Sequence, residues 1–265
     1  MILEDGVKLK RGILPNLSEH FFGAFNTLGI ICFFMGLWEF VAHFTNPIIL
    51  PSAFESLIRA YHLIFSENSE LLLSLQRALS SIIAGFLCGV ILGAVAANFK
   101  SFALFIKPIV DILQGIAPIV WVVLALFWFG VGNLSVVFTC FITILPLSFG
   151  ASFVSVMKLD SRLSEVCKAY NFGLFKRFKV FYLPSTMPFL LSNLSVVFAM
   201  GIKIIIMAEL LGASNGVGAK INDARNFLDT TQILAFVLIL VALILLFESL
   251  VIKSLKITLL PWLEK

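Results

Sequence analysis

Two ionisable residues, Lys203 and Glu209, lie within otherwise apolar sequence, and they are the first place to look for chemistry. A charge in hydrocarbon is costly, so each must face protein or water rather than lipid. At about 100° per residue, six positions amount to a net turn of roughly 240°, so the two side chains point to different sides of a helix and cannot pair. Each therefore needs a separate partner, and Glu39, Lys107, Asp111 and Glu248 are available. For Glu39, Asp111 and Glu248 a snorkelling or interfacial role outweighs a functional one. Lys203 reads as lining an aqueous path or bridging helices. His20, His43 and His62 have no Asp, Glu or Cys at ligand spacing, so no metal site is expected. Cys32, Cys88, Cys140 and Cys167 are scattered, and neither disulfides nor zinc are expected of them. No G-x-x-x-x-G-K-[ST] loop occurs, so the usual backbone nest for ATP is absent and any such energy must come from a partner chain. No His, Asp or Glu motifs converge within the apolar stretches, so catalytic residues and cofactors are not expected.

The elements that must hold these residues are membrane helices. The 265 residues are 60% hydrophobic and only 13% charged, with a mean hydropathy of +1.05. Apolar stretches long enough to cross about 30 Å of hydrocarbon fall near 27–46, 78–98, 108–129, 134–157, 186–210 and 232–252. Stretches such as Ile233 to Phe247 are apolar on every face, which excludes the alternation of a β-barrel. The expected fold is an all-α integral membrane protein of six transmembrane helices. Residues 1–26 form a polar N-terminal segment, broken by Pro15 and without the apolar core of a secretion signal, and 27–265 form the transmembrane domain. Basic residues gather at the N-terminus, between 158 and 184 and at the C-terminus, whereas Arg59, Arg77, Lys220 and Arg225 flank the other side. That bias places both termini in the cytoplasm. The basic residues lie beside apolar spans rather than among surface aromatics, so nucleic acid is not a partner.

Two outer segments are long, roughly 47–76 and 213–231, and Leu57, Tyr61 and Ile64 predict a short interfacial helix in the first. No internal repeat is visible, so a two-fold path requires a second chain. An ion-coupled secondary transporter is the alternative. It calls for repeated halves with broken helices and several mid-membrane carboxylates, and these are not seen. Gly85, Gly89 and Gly93 make a stripe where another backbone can approach, with packing inside the chain favoured over a subunit interface. Between spans four and five, residues 158–184 are too polar to cross, yet Leu163, Val166, Cys167, Tyr170 and Leu174 share one helical face. On the residues alone, this segment is either an amphipathic loop on headgroups or a helix docked on a partner.

The same segment reads Glu165-Val166-Cys167-Lys168-Ala169-Tyr170-Asn171, with Leu183-Pro184 at positions nineteen and twenty counted from Glu165. In that spacing it resembles the EAA signature of the binding-protein-dependent transporter permeases, of the sulfonate, taurine and nitrate group. Val166 and Cys167 stand where the family has alanines, and Asn171 where it has glycine, with Gly173 two residues on. The likeness extends from Trp38-Glu39 and Leu50-Pro51-Ser52 through the glycine stripe, Ala117-Pro118 and the stretch from Trp128 to Gly132, to Ala208-Glu209 and the stretch from Gly212 to Gly218. The resemblance implies a permease subunit in the bacterial inner membrane, paired with a second copy and enclosing a path for a small solute. It further implies cytoplasmic ATP-binding subunits gripping a coupling helix within 160–184, and a periplasmic or lipid-anchored solute-binding protein. Glu165, Val166, Cys167, Ala169, Tyr170, Asn171, Gly173, Leu183 and Pro184 are the coupling residues it implies.

Overall fold

The protein is described from a computed structural model, which covers residues 29–255 except 31, 66–69, 160–169, 171, 174–175 and 177. Every regular element among the described residues is a helix. The first, α1 (Cys32–Phe44), is shorter than a membrane span, and the predicted span 27–46 begins outside the described residues. α1 is joined to α2 (Ala53–Phe65) by side chains of its own. Trp38 Nε1 donates to the Pro51 carbonyl at 3.1 Å, and Glu39 accepts the Ser52 hydroxyl at 2.9 Å and the Ala53 N–H at 2.8 Å. The first N–H groups of a helix have no partner within it and form its positive end, so a carboxylate there both caps and neutralises.

The centre of the molecule is built from α3 (Leu71–Asn98), α6 (Asn133–Met157) and α7 (Leu183–Gly212), with a π-helical turn at Phe178–Tyr182 leading into α7. Ile82, Ile144, Val197 and Ile205 fill the space between them with almost no exposed surface. The glycine stripe lies against α6. A Cβ added at Gly89 would come within 2.5 Å of the Leu145 carbonyl oxygen, and one at Gly93 within 2.5 Å of the Phe149 carbonyl oxygen. Gly85 faces Ile144 and the Phe141 carbonyl, both at 3.1 Å. Hydrogen at these positions is therefore what lets α3 and α6 meet backbone to backbone.

The stretch 108–129, expected from the sequence to be one span, is instead two helices, α4 (Lys100–Gly115) and α5 (Pro118–Phe129), bent by 96°. Pro118 supplies the reason. Its ring disfavours helical backbone at the preceding residue, and both Ile116 and Ala117 are extended, with ψ of 127° and 140°. A second difference concerns α3, which starts at Leu71 rather than at the expected 78. Arg77 had marked the edge of the span, but its charge is taken up inside the protein, so the helix has no reason to stop there.

After α7 come α8 (Val217–Asn226) and α9 (Thr230–Leu246), the latter continuing through a π-helical turn at Phe247–Ile252. Asp229 caps α9 by accepting the Gln232 N–H at 3.0 Å. Ala235 and Phe236 of α9 pack with Ala60 of α2 and Val217, and Phe247 stacks on Phe198 of α7 at 3.5 Å between ring centroids. Among the described residues, four helices are long and apolar enough to cross a membrane, and five if the bent pair counts as one.

Candidate functional site

The polar face of α3 is made by Ser74, Arg77 and Ser81, spaced three and four residues apart and all buried. That face meets Glu209, which lies three residues before the end of α7 and has 0% of its surface exposed. Arg77 Nη1 is 2.7 Å from Glu209 Oε1. Ser74 Oγ lies 2.7 Å from Oε2, donates its proton to the carboxylate, and accepts the Val217 N–H at 2.8 Å. The Gly218 N–H donates to Oε2 at 3.0 Å. A buried ion is tolerated when its charge is paired and its lone pairs are occupied, and Glu209 meets both conditions.

The rest of the guanidinium gathers the chain around it. Nη1 also donates to the Asn215 carbonyl at 2.9 Å, and Nη2 donates to Asn215 Oδ1 at 2.6 Å and to Asn133 Oδ1 at the start of α6. Only Nε has no partner among the described residues. Glu70, just before α3, accepts the Gly216 N–H and lies 3.9 Å from Lys220 Nζ. One arginine and one glutamate thus fasten α3, α6, α7 and the loop 213–217 at a single point. The loop and the start of α8 can come this close because they carry glycine. Gly216 has φ +107°, and a Cβ at Gly218 would fall 2.4 Å from the Ile206 carbonyl oxygen.

Lys203 is elsewhere. It is exposed on the other side of α7 and opens into a cleft of about 460 Å³ between α5, α7 and α9. Ile119, Ile206, Met207, Val237, Leu240 and Ile244 are among the lining residues, and every other lining side chain is apolar too. No hydrogen bond or ion pair involves Lys203 among the described residues. None of the four partners considered from the sequence reaches Lys203 or Glu209. Glu39 caps α2, Glu248 accepts the Ser195 hydroxyl, Lys107 stands 6.0 Å from the Phe153 ring, and Asp111 lines a separate cleft with Lys100 and Lys107. The partner of Glu209 is instead Arg77, assigned from the sequence to the flank. The sign available beforehand was the three- and four-residue spacing of Ser74, Arg77 and Ser81 at the start of a mostly apolar helix.

Of the implied coupling residues, Glu165, Val166, Cys167, Ala169 and Asn171 lie outside the described residues. Tyr170 is exposed in a turn, Gly173 is exposed in irregular backbone, and Leu183 and Pro184 open α7 half-buried. In that first turn proline is suited, because its missing N–H would have no partner within the helix.

The family model for the binding-protein-dependent transport system inner membrane component matches residues 85–256, which spans the break at Ile116–Ala117, Lys203, Glu209 and the segment between α6 and α7. The chain belongs to this family. It is a permease of the ABC importer kind, a transport component rather than a member of an enzyme family. The putative aliphatic sulfonates transport permease protein SsuC of Bacillus subtilis is 26% identical over 224 residues, covering 82% of this chain and 77% of the relative. The taurine transport system permease protein TauC of Escherichia coli is 24% identical over 251 residues, covering 89% of each. The nitrate import permease protein NrtB of Synechococcus elongatus is 26% identical over 158 residues, covering 59% of this chain and 56% of the relative. A chain of the MetNI methionine ABC transporter, solved in inward facing conformations, superposes with a TM-score of 0.57 at 18% identity. It matches 68% of this permease and 92% of that chain, a likeness of fold.

Proposed function

We propose that this permease and a second copy of itself enclose the membrane path for a small solute of the sulfonate, taurine or nitrate kind. Each copy contributes six spans with both termini in the cytoplasm of a bacterial inner-membrane complex. Two ATP-binding subunits grip the segment 160–184, and a periplasmic or lipid-anchored binding protein delivers the solute at the opposite face. The match over 85–256 carries the reading, and the names of the relatives supply the solute class. Positive charge gathered between 158 and 184 supports the orientation. Lys203 lines the path, and Glu165 with Tyr170 meets the ATPase.

The experiment is charge reversal at the dock. In reconstituted complexes, Glu165→Lys places a cation at the start of the coupling helix, and Tyr170→Asp puts an ion where an apolar contact is needed. Both variants are expected to insert normally and to lose uptake of taurine, an alkanesulfonate and nitrate. That loss should come with lost ATPase association, or with hydrolysis that ignores the binding protein. Wild-type uptake in both would overturn the role given to 160–184.

A further inference from the structure

We infer that Lys203 is the charge-selecting residue of the path, so that the transported solute passes this point as an anion; the inference rests on the path-lining role proposed for that lysine. The first observation is depth. Lys203 lies nine residues before Gly212 in the apolar span Val180–Gly212, about 14 Å along the helix from its end. Measured from the Gly212 end of the helix, that distance is about half of a hydrocarbon core about 30 Å thick, beyond the reach of the lysine stem to headgroups at that end.

The second observation is the cleft. The ammonium is exposed, it has no ion pair among the described residues, and its neighbours in the cleft are all apolar. A lysine facing hydrocarbon at that depth is costly, so on the path-lining role the cleft faces water or the second copy rather than lipid. The third observation is independent of the lysine. Ile119, which lines the same cleft, stands just after the extended residues Ile116 and Ala117, where the helical hydrogen-bond ladder is interrupted. Irregular backbone at membrane depth is found where protein covers it or water fills a cavity beside it. The cleft that holds the charge thus begins at Ile119, just past the break, and water reaching it would serve both.

A lone cation between apolar walls has a definite effect on what passes. Low-dielectric walls focus its field, raise the local concentration of anions and exclude cations, with no carboxylate in the lining to cancel it. The lining also offers no second donor or acceptor side chain to read shape. Selection at this point is therefore by sign of charge, and small anions of different geometry are admitted alike.

The test uses the assembled complex with its ATPase subunits and measures charge preference without needing the natural solute. Cys32, Cys88, Cys140 and Cys167 are replaced by serine or alanine, and Met207→Cys puts a thiol one turn from Lys203 in the same cleft. The anionic reagent sulfonatoethyl methanethiosulfonate should modify it at least about tenfold faster than the cationic trimethylammonioethyl analogue. Adding Lys203→Met should level that ratio, and adding Lys203→Arg should preserve it. Equal rates with lysine present, a ratio unmoved by Lys203→Met, or failure of both reagents to react would each overturn the inference. ATPase association measured on the same preparation separates the two readings. Charge-indifferent labelling with the ATPase subunits still bound removes anion selection alone, and subunits that fail to bind count against the importer assembly.

Discussion

Six residues of α7 separate a carboxylate with no exposed surface from an ammonium that opens into a cleft. Glu209 is met by an arginine, a serine hydroxyl and a backbone N–H, all from its own chain. Lys203 meets apolar side chains and nothing of opposite sign among the described residues. Both are ions in an apolar helix, so sequence places them in one class. Their surroundings place them in two. A charge whose partners are all supplied by the fold holds the fold together, and a charge left without partners looks to something beyond the single chain.

The contrast can be broken most sharply at Glu209. Glu209→Ala strands the Arg77 guanidinium in the interior, and breaking a buried pair in this way costs about 3–5 kcal/mol. Thermal unfolding of the purified chain in detergent should show that loss. The double variant Glu209→Met with Arg77→Met should recover much of it, because no unpaired charge remains. If the single variants were as stable as the parent, Glu209 would belong with Lys203 rather than opposite it.

A smaller effect is expected where the loop is seated. Gly218→Ala drives a methyl group to 2.4 Å from the Ile206 carbonyl oxygen and 2.5 Å from Glu209 Cβ, so either the start of α8 or α7 must shift. Overpacking of this kind costs about 1–3 kcal/mol. Proteolysis within 213–217 should become faster in step with the loss of stability. The smallest effect belongs to Lys203→Met. Removing an exposed, unpaired charge should change the unfolding free energy by no more than about 0.5 kcal/mol, measured in the same detergent assay. A loss comparable with that of Glu209→Ala would mean that the lysine, too, is part of the scaffold.

How far each site could be read from the sequence follows from the range of the forces involved. The apolar stretches announced the long helices, because lipid solubility is a local property of 20 or so residues. The helix over Ala53–Phe65 was visible in the spacing of Leu57, Tyr61 and Ile64. The Pro118 bend was less legible, since a proline inside a membrane helix is often tolerated, and whether the chain turns depends on what lies on either side. The arrangement around Glu209 was the hardest to read. Ser74 and Glu209 are 135 residues apart, and Arg77 took the appearance of a flanking cation because flank and interior differ by one residue at the end of a span. Lys203 was found by the cost of its charge alone, a signal that marks a residue without saying what it faces.

The contact of α3 with α6 has a mechanical consequence. The two backbones touch at Gly89 and Gly93, and Ser152 Oγ reaches across to donate to the Val90 carbonyl at 2.8 Å. Close-packed interiors have low compressibility and pass strain on instead of absorbing it. Because Arg77 and Glu209 fasten α3 to α7 in turn, the three helices are expected to tilt together. A push reaching Lys158, where α6 ends, is then expected to be felt at the loop after Gly212 without any helix sliding past another. Among the described residues the backbone leaves the helix at Phe99, at the Ile116–Ala117 corner, at Gly130 and Gly132, and around Leu228, whose φ is +57°, and bending is expected to concentrate at such places.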